Sequence, residues 1–128
     1  MTKTACIAID WGTSNLRASL LNSEGKVLEN RREHRGILEV KAGTFAAELA
    51  NICGNWLMEH QNIPVLMSGM VGSQQGWMET PYLEVPCNLA ALVNALTIVP
   101  YTPHTVYIMP GVKAYAKSGS PEIMRGEE

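Results

Sequence analysis

The chain has 128 residues, room for one ordinary domain rather than two. Apolar residues make up 46% and charged ones 17%, so a packed core is feasible and wholesale disorder is excluded. The formal charge of −2, with no Lys or Arg between Ala42 and Val112, argues against a nucleic-acid binder, which needs a basic field.

Residues 4–10 (TACIAID) are apolar and β-branched at Ile7 and Ile9, which predicts a buried strand. Residues 11–15 (WGTSN) are turn chemistry, with Gly12 free to adopt backbone angles closed to other residues. Residues 16–21 read as a second strand, 22–25 (NSEG) as a tight turn and 26–34 as a third, more polar strand. Three strands joined by tight turns form an antiparallel meander.

The period then changes. Phe45, Leu49, Ile52, Cys53, Trp56 and Leu57 recur at helical spacing within 44–60, with Thr44 as the expected N-cap. Gly54 weakens that helix by roughly 1 kcal/mol relative to Ala. Residues 63–67 read as a short strand entered through Pro64. A second helix spans 88–96, capped by Asn88, with Leu89, Leu92, Val93 and Leu96 on one face. Residues 105–109 read as another strand and 117–121 as a loop, after which the chain stops at what reads as a helix start. The expected order is β-β-β-α-β-α-β, a mixed sheet with helices on its faces in the ribonuclease-H-like arrangement.

No apolar run is long enough to span a bilayer, and the N-terminus, with Lys3 and Asp10, lacks the pattern of a signal peptide. Cys6, Cys53 and Cys87 are odd in number, widely spaced and without a CxxC pair, so buried free thiols and a cytoplasmic address are expected. His34, His60 and His104 are isolated, which excludes a local zinc-type spacing.

Three clusters could carry chemistry. Asp10 is the one aspartate in the chain and precedes Gly12, Thr13, Ser14 and Arg17. Such a hairpin can point backbone N–H groups, two hydroxyls and a guanidinium at a phosphate, with the carboxylate holding Mg²⁺ through water. D-x-G-T also describes a plain hairpin. The second cluster, residues 68–77 (SGMVGSQQGW), follows a buried strand, where ligands bind in open α/β sheets, and also reads as a flexible loop. Trp77 and Tyr82 suit a sugar-facing wall or the core. The third, residues 124–128 (MRGEE), sets a carboxylate beside an arginine, a base for a substrate hydroxyl or a solvated tail. The basic run 31–35 (RREHR) reads as a solvated strand edge.

Taken together, AIDWGTSNLRA, LMSGMVGSQQGW with PYLEVP, and IMPGV with IMRGEE resemble the N-terminal half of the 2-dehydro-3-deoxygalactonokinase family. The first motif belongs more broadly to the sugar-kinase and actin superfamily, so the resemblance implies a ribonuclease-H-like (actin-like ATPase) lobe over residues 1–128. It also implies ATP-dependent phosphorylation of 2-dehydro-3-deoxy-D-galactonate at its terminal hydroxyl, with ATP and Mg²⁺ as cofactors. Under it, Asp10 holds Mg²⁺ through water while Gly12, Thr13, Ser14 and Arg17 face the transferring phosphate. Gly69, Gly72 and Ser73 line the substrate pocket, Arg125 grips the substrate carboxylate, and Glu127 is the candidate base. Family members continue into a second domain carrying a second phosphate hairpin and most of the adenosine site. The expected partners are a sugar acid and ATP, with a second lobe or a second copy of the chain, and neither nucleic acid nor membrane. Two alternatives stay open: an inactive lobe that binds sugar acid without turnover, and the lobe of a related hexose or gluconate kinase.

Overall fold

Alternation along the strands decides which face of the sheet is buried. The computed structural model describes residues 3–60, 62–101, 104–115, 119 and 121–124. Strand β1 (Thr4–Trp11) turns Ile7, Ile9 and Trp11 to one face, and β2 (Leu16–Asn22) turns Leu16, Ala18 and Leu20 to the same face; all six are buried. β3 (Val27–Glu33) completes the antiparallel meander expected from the sequence. Gly25 sits at φ 81° in the turn between β2 and β3, a conformation that favours glycine.

Helix α1 (Phe45–Glu59) covers this face, burying Phe45, Leu49, Ile52, Cys53, Trp56 and Leu57. Each such side chain contributes about 1.5–3 kcal/mol when taken fully out of water. Thr44 precedes the helix, as expected, but its hydroxyl donates to the carbonyl of Lys41 (2.7 Å) instead of accepting from the first turn. Gly54 has room to spare: the nearest atom to an added Cβ is that of Ala50, 3.9 Å away.

Strand β4 (Val65–Ser68) pairs parallel with β1, and after a 3₁₀ turn at Met70–Gly72 the chain forms β5 (Tyr82–Glu84), helix α2 (Leu89–Asn94) and β6 (Thr97–Val99). β7 (Val106–Ile108) pairs parallel with β4 and antiparallel with β6. The main sheet is therefore mixed, in the order β3-β2-β1-β4-β7-β6. Strands β8 (Gly111–Tyr115) and β9 (Pro121–Met124) join β5 in a second sheet of order β5-β8-β9.

This α/β architecture departs from the sequence reading in four ways. The order gains β5, β6, β8 and β9. Residues 121–124 are a strand, not the start of a helix, because they pair with β8 from Val112 to Tyr115. Asn88 caps α2 as expected, accepting from the N–H of Ala91 (2.8 Å), yet no residue of α2 is buried and Leu89 is 75% exposed. The basic run is not simply a solvated edge. The Arg31 guanidinium lies 3.9 Å over the Trp56 ring and donates to the Ile52 carbonyl (2.7 Å), fastening β3 to α1, while Arg35 pairs with Glu48.

Cys6, Cys53 and Cys87 are free thiols as expected, but only Cys53 is buried, Cys6 and Cys87 being half-buried; burial pushes the Cys53 thiol up to about 12. No described helix is long and apolar enough to cross a membrane.

Candidate functional site

The end of β1 is fixed by its own buried tryptophan. Trp11 is fully buried, donates its indole N–H to the Arg35 carbonyl (2.9 Å), and meets Phe45 edge-on at 5.3 Å between ring centroids. Asp10, one position earlier, points to the opposite face by alternation. Register then aligns it with Arg17 on β2 and Ser68 on β4, and Arg17 in turn with Arg32 on β3. One row of side chains across four strands thus carries two cations, a carboxylate and a hydroxyl.

The hairpin between β1 and β2 is shaped from behind. Gly12 donates to the Asn15 carbonyl (2.9 Å), closing the turn. Residues 36–38 then take up three successive carbonyls: the N–H of Ile37 donates to Gly12 (3.0 Å), that of Leu38 to Thr13 (3.3 Å) and that of Gly36 to Ser14 (3.2 Å). Among the described residues, the N–H groups of Thr13 and Ser14 and their hydroxyls have no protein partner. A turn whose carbonyls are engaged on one side and whose N–H groups are free is suited to an anion. Asp10, Gly12, Thr13, Ser14, Asn15 and Arg17 line a cavity of about 330 Å³ here.

Gly36 is the residue of this candidate site that sequence reasoning missed. A Cβ on it would lie 2.2 Å from the Thr13 carbonyl oxygen, so only glycine allows this approach. Its sequence context, after a strand and before Ile37, carries no signal of that contact. Gly12, by contrast, does not use the freedom expected of it: the positive-φ glycines described are Gly25, Gly43, Gly69 and Gly119.

The second cluster begins where Ser68 stands beside Asp10. Gly69 turns the chain at φ 99°, ψ −157°, a region essentially restricted to glycine. The residues that follow are anchored, not loose. Gly72 and Ser73 are buried, the Ser73 hydroxyl donates to the Met70 carbonyl (2.6 Å), and Thr80 returns its N–H to Gly72 (2.9 Å). These two residues shape the loop, while Gln74, Gln75 and Trp77 line a cavity of about 590 Å³ beside it. Trp77 is stacked on Phe45 at 6.1 Å, so it serves core and cavity together. Tyr82 lies in β5, with its ring over Gly111. Arg125, Gly126, Glu127 and Glu128 lie outside the described residues.

The donor set bears on a metal. Among the described residues no three His, Cys, Asp or Glu gather as a ligand group, and the hairpin offers the single carboxylate of Asp10. One carboxylate with water and phosphate oxygens is the usual provision for Mg²⁺.

Fold and site together define an α/β protein with an anion-ready hairpin at the carboxyl end of its first strand. The sequence profile of the 2-keto-3-deoxy-galactonokinase family matches residues 10–128, and the chain belongs to that family. It is 38% identical over 122 residues to the 2-dehydro-3-deoxygalactonokinase of Escherichia coli (strain K12), covering 95% of this chain and 39% of the relative. A Rhizobium meliloti (strain 1021) protein named a probable 2-dehydro-3-deoxygalactonokinase, DgoK1, is 34% identical, with 94% and 39% covered. A solved structure of a Sinorhizobium meliloti protein assigned as a 2-dehydro-3-deoxygalactonokinase superposes with a TM-score of 0.76 at 33% identity, covering 95% of this chain and 39% of that one. The chain therefore spans about two-fifths of the length of these relatives.

Proposed function

We propose that the chain supplies the first phosphate-binding and substrate-binding lobe of a kinase that phosphorylates 2-dehydro-3-deoxy-D-galactonate with ATP. The observation that carries this reading is the hairpin: three carbonyls engaged by residues 36–38 leave the Thr13 and Ser14 N–H groups free beside Asp10 and Arg17. The lobe is ribonuclease-H-like. An antiparallel β1–β2–β3 meander followed by parallel β4 and β7 supports that assignment.

In the reaction the hairpin N–H groups and Arg17 hold the γ-phosphate oxygens in place, and the Asp10 carboxylate would hold Mg²⁺ through water. The metal supplies neutralisation of charge on the phosphate oxygens. Phosphoryl transfer depends mainly on such positioning and charge stabilisation. Gly69, Gly72 and Ser73 shape the loop that bounds the sugar-acid pocket, Arg125 binds the substrate carboxylate, and Glu127 takes the proton from the attacking hydroxyl. The rest of the transfer site comes from the three-fifths of the relatives' length that this chain does not span.

An ADP-release assay with 2-dehydro-3-deoxy-D-galactonate and Mg–ATP tests the reading. The 128-residue chain alone is expected to turn over negligibly, and a protein joining it to the remaining length of a relative is expected to be active. Asp10→Asn should cost the joined protein about a hundredfold or more in turnover. Robust turnover by the chain alone refutes the division of roles. A joined protein that leaves 2-dehydro-3-deoxy-D-galactonate untouched and phosphorylates a hexose or gluconate instead moves the substrate to that alternative.

A further inference from the structure

The hairpin accounts for phosphate but not for the recognition of a hydroxylated carbon chain. The larger cavity, about 590 Å³, lies between residues 40–46 and the loop after β4, and its volume falls in the range of small-molecule sites. Phe45 and Trp77, stacked 15° from parallel, give it an apolar wall, while Gln74 and Gln75 contribute amide side chains. Among the described residues no charged side chain belongs to its lining, which suits it to neutral hydroxyl groups rather than to a carboxylate or a phosphate. An amide offers both donors and an acceptor, which matches a hydroxyl group in either role.

The two glutamines are also presented on a fixed frame. Gly76 donates to the Ser73 carbonyl (3.0 Å) and Trp77 to that of Val71 (2.8 Å), closing the loop on both sides of them. A Cβ on Gly76 would lie 2.1 Å from the Val71 carbonyl oxygen, so this bend requires glycine. Both glutamine side chains are exposed and have no protein partner among the described residues. Val40, which lines the same cavity, lies two residues after the segment that holds the hairpin carbonyls. Because β1 and β4 run parallel, the loop and the hairpin emerge at the same end of the sheet.

Resting on the kinase reading above, we propose that this cavity receives the hydroxylated carbon chain of the sugar acid, with the Gln74 and Gln75 amides reading its hydroxyl groups. The charged end of the substrate is held elsewhere. Gln74 and Gln75 are then specificity-determining residues.

Side-chain amide NMR of the 128-residue chain tests this directly. Titration with 2-dehydro-3-deoxy-D-galactonate is expected to produce saturable shifts at the Gln74 and Gln75 NH₂ groups. Pyruvate, which carries the keto-acid end without the hydroxyls, is expected to produce none. The Gln74→Ala, Gln75→Ala double variant should bind the sugar acid about tenfold more weakly with an unchanged melting midpoint. Absence of shifts at both glutamines, equal shifts with pyruvate, or unaltered affinity in the double variant overturns the proposal. A parallel titration with Mg–tripolyphosphate reads the Thr13 and Ser14 amides. Hairpin shifts there without glutamine shifts under the sugar acid overturn this proposal and leave the phosphate reading standing. Glutamine shifts without hairpin shifts sustain this proposal and count against the phosphate site.

Discussion

The two helices carry the same kind of amphipathic pattern and meet different fates. In α1, Leu49, Ile52, Cys53, Trp56 and Leu57 close against the sheet, and Arg31 reaches across from β3 to lie on Trp56. In α2, the face predicted around Leu89 and Val93 is left 75% and 55% exposed at those residues. A stripe of apolar residues records that a face is available for burial, and it says nothing of what covers it. α1 has fifteen residues and follows a meander that presents a ready apolar surface; α2 has six and lies between the short strands β5 and β6.

The contrast can be broken most sharply at Trp56. Trp56→Ala removes a fully buried ring, its hydrogen bond to Glu29 (3.3 Å) and the platform for Arg31, and should lower stability by about 3–5 kcal/mol in denaturant titration. Cys53 gives an intermediate effect that depends on pH. Its thiol keeps its proton in the folded chain up to about 12, while the unfolded chain loses it near the ordinary thiol value of 9.0. The unfolded state therefore binds fewer protons in that window, and stability should fall as pH rises, by at most about 1.4 kcal/mol per pH unit from this group. Cys53→Ala should flatten the measured slope accordingly. Leu89→Ala in α2 should change stability by no more than about 0.5 kcal/mol, since its side chain is already in water. A cost for Leu89→Ala matching that of Trp56→Ala would erase the distinction between the helices.

The two ends of the site differ in the same way. The hairpin was legible: Asp10, Gly12, Thr13, Ser14 and Arg17 adjoin in sequence, and a tight turn brings neighbours together whatever else the chain does. What made that turn useful was not legible. The engagement of the Gly12, Thr13 and Ser14 carbonyls depends on residues 36–38, more than twenty positions away, and on Gly36 fitting against a carbonyl. The glycine-rich loop reads in the sequence as a ligand-side cluster or as a flexible loop, and the roles within it are set by packing. Trp77 docking on Phe45 and Thr80 bonding to Gly72 bury Gly72 and Ser73 and turn Gln74 and Gln75 outward.

By itself the sequence determined the meander, the position and buried face of α1, the free thiols and the family motifs, because these follow from local periodicity, turn chemistry and residue type. Tertiary structure alone decided the strand pairings of β5, β8 and β9, the exposure of α2, the glycine contact behind the hairpin and which residues of the loop face open space. Each of those depends on a contact between segments far apart in the chain, and no local pattern encodes the partner.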